Sequence, residues 1–79
     1  MDNILYEFFG GISTKLKNNT GRIEIPKNTT IKEFITEIAG VPEKYLKYMD
    51  ITINSKYYSI DKKLKKNNKI KILMPVGGG

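Results

Sequence analysis

Cysteine and histidine are both missing from the sequence. Without cysteine, no disulfide braces this 79-residue chain, so stability has to come from one small apolar core. The two absences together also remove a Cys–His pair, a Ser-His-Asp triad, a neutral-pH imidazole base and the usual zinc ligands. Acidic residues are few: Asp2, Glu7, Glu24, Glu33, Glu37, Glu43, Asp50 and Asp61 are scattered, and no pair is spaced for acid–base work. The chain is therefore expected not to be an enzyme, and to hold no metal and no bound cofactor.

Long hydrophobic runs are missing as well. No stretch approaches the ~20 apolar residues that span a membrane. The N-terminal "MDNILYEFFGG" lacks the basic and long apolar regions of a secretion signal. A cytoplasmic protein without a membrane partner is expected.

Positive charge is abundant. Thirteen lysines and one arginine give a formal net charge of +6. Such an excess can mark a nucleic-acid or acidic-protein partner. Here it accompanies an abundance of Asn and Ile that points to compositional bias and a solvated lysine surface.

The apolar residues fall into short periodic runs. In "NILYEFF", residues 3–9, Ile4, Tyr6 and Phe8 fall on one side of a strand and Leu5, Glu7 and Phe9 on the other. Glu7 marks the wetter side, which leaves Leu5 and Phe9 exposed beside it. "RIEI", 22–25, predicts a second strand with Ile23 and Ile25 inward, joined to the first as a hairpin across a polar loop at 10–21. "TIKEFITEIAG", 30–40, predicts a helix. Thr30 and Glu33 fit a capping box, and Ile31, Phe34, Ile35 and Ile38 form one apolar stripe. Gly40 is the stop and Pro42 ends the segment. A helical turn at 42–49 would let Tyr45, Leu46 and Met49 cover one end of the core. Strands follow at 50–54, at "YYSI" 57–60 and at "KIKILM" 69–74, with Ile51, Ile53, Ile70 and Ile72 inward; Leu64 is the buried candidate in the polar stretch 61–68. Strands on both sides of one amphipathic helix predict an α+β domain with the helix across one sheet face.

This order, with "FFGGIS", "IEIPKNTTIKEFI" and "LKKNNKIKILMPVGGG", resembles the small sulfur-carrier family with the ubiquitin-like β-grasp fold. The small subunit of molybdopterin synthase and the thiamin-pathway sulfur carrier are its best-known members. The resemblance is carried by Phe8-Phe9, by Pro26 with Thr29-Thr30, by Leu64 before a polar turn at 65–68, and by Pro75-Val76-Gly77-Gly78-Gly79. Met74, Leu73 and Gly77 stand where members often carry a proline, an aromatic and a non-glycine residue. The resemblance implies a mixed four- to five-stranded sheet with one main helix, a domain over 1–74 and a flexible tail over 75–79.

It also implies a function. In this family the working group is the terminal carboxylate, here that of Gly79. A ubiquitin-activating-type adenylyltransferase uses ATP to convert it to an acyl-adenylate. Sulfur then replaces one oxygen, and the thiocarboxylate donates sulfur to a partner such as the large subunit of molybdopterin synthase. Gly77 and Gly78 have no Cβ, so a narrow channel can close around them. Three extended glycines reach about 10 Å. Pro75 stiffens the exit from the last strand, with Val76 next in the tail. Leu5, Phe9 and Leu73 are the expected docking residues, since the first and last strands are central neighbours in this fold. Two alternatives use the same residues differently. A ubiquitin-like modifier would pass the acyl group to a target lysine, and a basic binding module would stack nucleic-acid bases on Tyr45, Tyr48, Tyr57 and Tyr58.

Overall fold

The computed structural model describes residues 1–75; the expectations placed on Val76, Gly77, Gly78 and Gly79 lie outside the described residues. Five strands form one sheet: β1 (Asp2–Gly10), β2 (Thr20–Ile25), β3 (Asp50–Ile53), β4 (Lys56–Tyr57) and β5 (Lys69–Met74). Their order across the sheet is β2-β1-β5-β3-β4. The β1–β2 hairpin is antiparallel, as expected, with Ile4 opposite Ile23. β1 and β5 run parallel at the centre, and β3 pairs antiparallel to β5. A helical segment spans the crossover and covers one face, which makes the molecule a β-grasp-type α+β domain.

Strand alternation sorts the side chains. Ile4, Tyr6, Phe8, Ile25, Ile51, Ile53, Ile70 and Ile72 turn to the helix and are buried, against Ile31, Phe34, Ile35, Ala39 and Val41 from the other layer. Ile23 points the same way but is only half-buried, because β2 is an edge strand. Tyr6, Phe8 and Phe34 form an aromatic cluster at the centre, with Phe8 and Phe34 stacked at 6.2 Å. Each of these residues would contribute on the order of 1.5–3 kcal/mol through burial, most of it offset by lost chain entropy.

The capping box is present. Glu33 N–H donates to Thr30 Oγ1 at 3.1 Å, and Thr30 N–H donates to Glu33 Oε1 at 2.9 Å. The next free amides of the first turn, at Ile31 and Lys32, donate to Lys62 O and Ile60 O. Leu64 is buried as expected, and its N–H donates to Thr29 O at 2.7 Å.

The helix body departs from the expected regular α-helix over 30–40. Only Ile31–Glu33 (α1) is α-helical, and Phe34–Ile38 winds as π-helix. Ala39 N–H reaches back five residues to Phe34 O, and Val41 N–H reaches Ile35 O. Thr36 Oγ1 donates to Lys32 O at 2.8 Å, a side-chain bond that competes with the regular ladder. The wider winding rotates the apolar stripe. Ala39 becomes fully buried, and Ile38, expected in the centre of the stripe, is half-buried. Gly40 ends the helix at φ +73°, as its position implied.

Two further expectations change. The strand expected at 57–60 is only Lys56–Tyr57. Asn54 and Ser55, both at positive φ, make the hairpin turn one residue early. The chain then leaves the sheet so that Ile60 and Lys62 can bind the helix N-terminus. The turn at 42–49 is a 3-10 helix, Glu43–Tyr48. Leu46 and Met49 pack on the core, but Tyr45 remains exposed, so the aromatic ring does not join that cover.

The cap sets a pH dependence. The Thr30 backbone N–H, and then its hydroxyl, hold the Glu33 carboxyl below its ordinary value of 4.5. Folding therefore weakens proton binding at Glu33. The stabilisation is fully present above pH 4.5 and is lost as pH falls through the lowered value. Glu33→Gln keeps a capping side chain without the charge, so its melting temperature should fall less steeply with acid. Parallel acid limbs in parent and variant melts would remove Glu33 from this effect.

Candidate functional site

Strand alternation decides what the sheet face opposite the helix carries. β1 presents Leu5, Glu7 and Phe9; β5 presents Lys69, Lys71 and Leu73; β3 presents Asp50 and Thr52. In the parallel ladder Phe9 lies directly opposite Leu73, and Asp50 faces Leu73 from the other side. Phe9 and Leu73 are each 43% exposed, large apolar side chains side by side on the two central strands. Nothing in the hydrophobic core requires them to be there.

Leu5 is on the same face but not in the same cluster. It sits four residues from Phe9, about 13 Å along the strand. Between them lies a charged row. The Lys69 ammonium and the Glu7 carboxylate form an ion pair at 2.7 Å, with Lys71 opposite Glu7 in the register. The hydrogen bond from Lys69 holds the half-buried Glu7 carboxyl below the ordinary carboxylate value. The structure therefore brings Phe9 and Leu73 together and sets Leu5 apart beside Arg22. The Glu7–Lys69 pair was not read from the sequence, because it depends on the register between distant strands.

The apolar pair stands at the end of the sheet where β5 finishes. Met74 is the last residue of β5, it pairs with Gly10, and exposed Pro75 follows. The chain thus departs toward the terminal glycines one residue beyond Leu73. Gly10 itself has φ +93°. The Gly10-Gly11 pair in the sequence hints at a turn but does not say which glycine needs it.

Among the described residues no group of three or more acidic side chains is placed to hold a metal ion. None of the helices among them is long and apolar enough to cross a membrane. The groove beside the helix, lined by Pro26, Thr29, Glu33, Glu37 and Ile38, spends its best acceptor on the cap. Of the exposed tyrosines, Tyr45 and Tyr48 stand on the 3-10 helix and Tyr57 and Tyr58 at and just after β4. Lys44, Lys47 and Lys62 each lie over a tyrosine ring, at 5.3, 5.2 and 4.9 Å from Tyr45, Tyr48 and Tyr58. Tyr57 is on a different element, paired with Thr52 at the sheet edge.

Comparison with known proteins bears on the family and the fold. The model of the ThiS family matches residues 7–79. Two solved structures of small archaeal modifier protein 1 from Haloferax volcanii share the fold. One superposes with a TM-score of 0.70 at 9% identity, covering 96% of this chain and 100% of the other. The second gives 0.68 at 11% identity, covering 98% and 99%. No match was found among curated protein sequences.

Proposed function

The chain belongs to the ThiS family and is a ubiquitin-like sulfur-carrier protein rather than a catalyst; on that premise we propose that the carboxylate of Gly79 is its working group. A carboxylate oxygen attacks the α-phosphorus of ATP within an activating adenylyltransferase, and pyrophosphate leaves. A hydrosulfide-level nucleophile then displaces AMP from the acyl carbon and leaves a thiocarboxylate. A second partner takes the sulfur. The observation that carries this reading is the placement of Phe9 and Leu73. They are exposed, paired, and set at the strand end from which the chain runs through Pro75 to the glycines. A partner that grips the pair also holds the root of the tail.

The sulfur acceptor we propose is the large subunit of molybdopterin synthase, which makes this chain the small subunit. Phe8-Phe9 and Pro75-Val76 support that choice among sulfur carriers. The archaeal modifier neighbours favour a second reading, in which a target lysine amine displaces AMP and forms an isopeptide bond. Target proteins recovered with Gly79 in an isopeptide bond, and no thiocarboxylate, would decide for that reading.

The docking half of the proposal has its own test. Phe9→Asp puts a charge at the centre of the apolar pair without touching the core. Buried anchor residues of an interface cost at least about 2 kcal/mol when lost, roughly 30-fold in affinity. Calorimetry should show the dissociation constant for the activating enzyme weakened by about that factor, with the melting temperature unchanged. An affinity within about threefold of the parent would remove Phe9 from the interface.

A further inference from the structure

Gly10 closes the β1–β5 ladder opposite Met74, at the point where the chain leaves the sheet. Its φ of +93° lies where L side chains are rarely found. The space beside it is more restrictive still. A Cβ at residue 10 would fall on the Met74 carbonyl oxygen, and would lie 2.9 Å from Met74 C and 3.4 Å from Met74 N. The obstacle is backbone, so no side-chain rotation relieves it. Ile12 N–H donates to Gly10 O at 2.9 Å, which turns the chain after β1. Gly11 has no comparable need, because a Cβ there meets nothing within 4 Å.

The peptide pressed against Gly10 is the one that leads into Pro75. Proline fixes φ near −65°, so a rotation of the Met74 peptide plane cannot be taken up by φ of residue 75. Phe9, one residue before Gly10, is half of the apolar pair. The same strand end thus holds the docking group and the root of the acyl chain in one geometry.

We propose that Gly10 is a positioning residue for activation of Gly79: by letting Met74 lie against a bare α-carbon, it fixes the direction in which the chain leaves β5 relative to the Phe9–Leu73 pair. This rests on the proposed function. Its signature is a separation of docking from chemistry. A side chain at residue 10 displaces the Met74 peptide and leaves Phe9 and Leu73 on the surface. The activating enzyme still binds, but the carboxylate arrives off the line of attack on ATP. Misplacement by about 1 Å can cost on the order of 100-fold in rate.

The test uses the full chain and its adenylyltransferase, with Gly10→Ala, Gly10→Asn and Gly11→Ala. Asparagine tolerates positive φ, so Gly10→Asn relieves backbone strain and keeps the Cβ that crowds Met74. Melting temperature, dissociation constant by calorimetry, and kcat of ATP–pyrophosphate exchange at saturating carrier are read together. Gly11→Ala should match the parent in all three. Both Gly10 variants should dock within about threefold of the parent and lose about 100-fold in kcat. Parent-like kcat in either folded Gly10 variant would overturn the inference. So would equal losses in docking and kcat, or unfolding of both variants, since either places the role of Gly10 outside tail positioning. Absence of exchange with the parent itself would instead reject the proposed function, and the inference with it.

Discussion

Deleting Gly79 should abolish adenylation while leaving the domain as stable as the parent. Among the described residues the fourteen of the buried core run from Ile4 to Ile72, and all of them remain in the shortened chain. The shortened chain still ends in a glycine carboxylate, on Gly78. That carboxylate is displaced by one residue, about 3.5 Å of extended chain. In-line attack needs reacting atoms held about 3–3.5 Å apart and aligned, so an error of that size takes the nucleophile out of reach. ATP–pyrophosphate exchange should fall by at least about 100-fold, with docking through Phe9 and Leu73 retained. Gly79→Ala keeps the length but adds a Cβ where a narrow channel has to close, and should lose rate with less severity. Full exchange activity in the shortened chain would refute the role given to Gly79.

Phe34→Ala should cost about 3–5 kcal/mol of stability, the largest loss expected from any single core truncation here. Phe34 is fully buried, and its ring packs against both Tyr6 and Phe8 from the sheet. It is also where α winding changes to π, so the residues around a cavity there cannot simply slide inward without disturbing Ala39, which bonds back to Phe34 O. Domains of this size have a total stability on the order of 5–10 kcal/mol, and one kcal/mol moves the melting temperature by roughly 4–8 °C. A drop of tens of degrees is expected in thermal melts followed by circular dichroism. Phe34→Leu, closer in volume, should cost far less. A fall of only a few degrees for Phe34→Ala would mean that the aromatic cluster is not the centre of the core.

Much of the fold was legible because local rules and global packing agree in most of this chain. Alternation placed Ile4, Tyr6 and Phe8 inward and Leu5 and Phe9 outward, and Thr30 with Glu33 announced the helix start. Leu64 stood out as a lone apolar residue among lysines and asparagines. Most of the misses depend on contacts between distant parts of the chain. The π winding that buries Ala39 and turns Ile38 partly outward accompanies the local bond from Thr36 to Lys32 O, whereas the heptad-like spacing of Ile31, Phe34, Ile35 and Ile38 fits an ordinary α-helix. The short β4 gives way because Ile60 and Lys62 are needed at the helix N-terminus. At the site, exposure of Leu5, Phe9 and Leu73 followed from alternation. Their grouping needed the parallel register, which joins Phe9 to Leu73 and interposes Glu7 and Lys69 before Leu5. The positive φ of Gly10 was hidden for the same reason, since its neighbour is Met74 on another strand.

The most direct measurement is the intact mass of the protein after incubation with ATP, a sulfur source and its activating enzyme, followed by fragmentation from the C-terminus. A sulfur carrier gains the mass difference of one sulfur for one oxygen, located on Gly79 and absent when ATP is withheld. An unchanged mass under conditions where the enzyme consumes ATP with this chain, or sulfur found on any other residue, would contradict it.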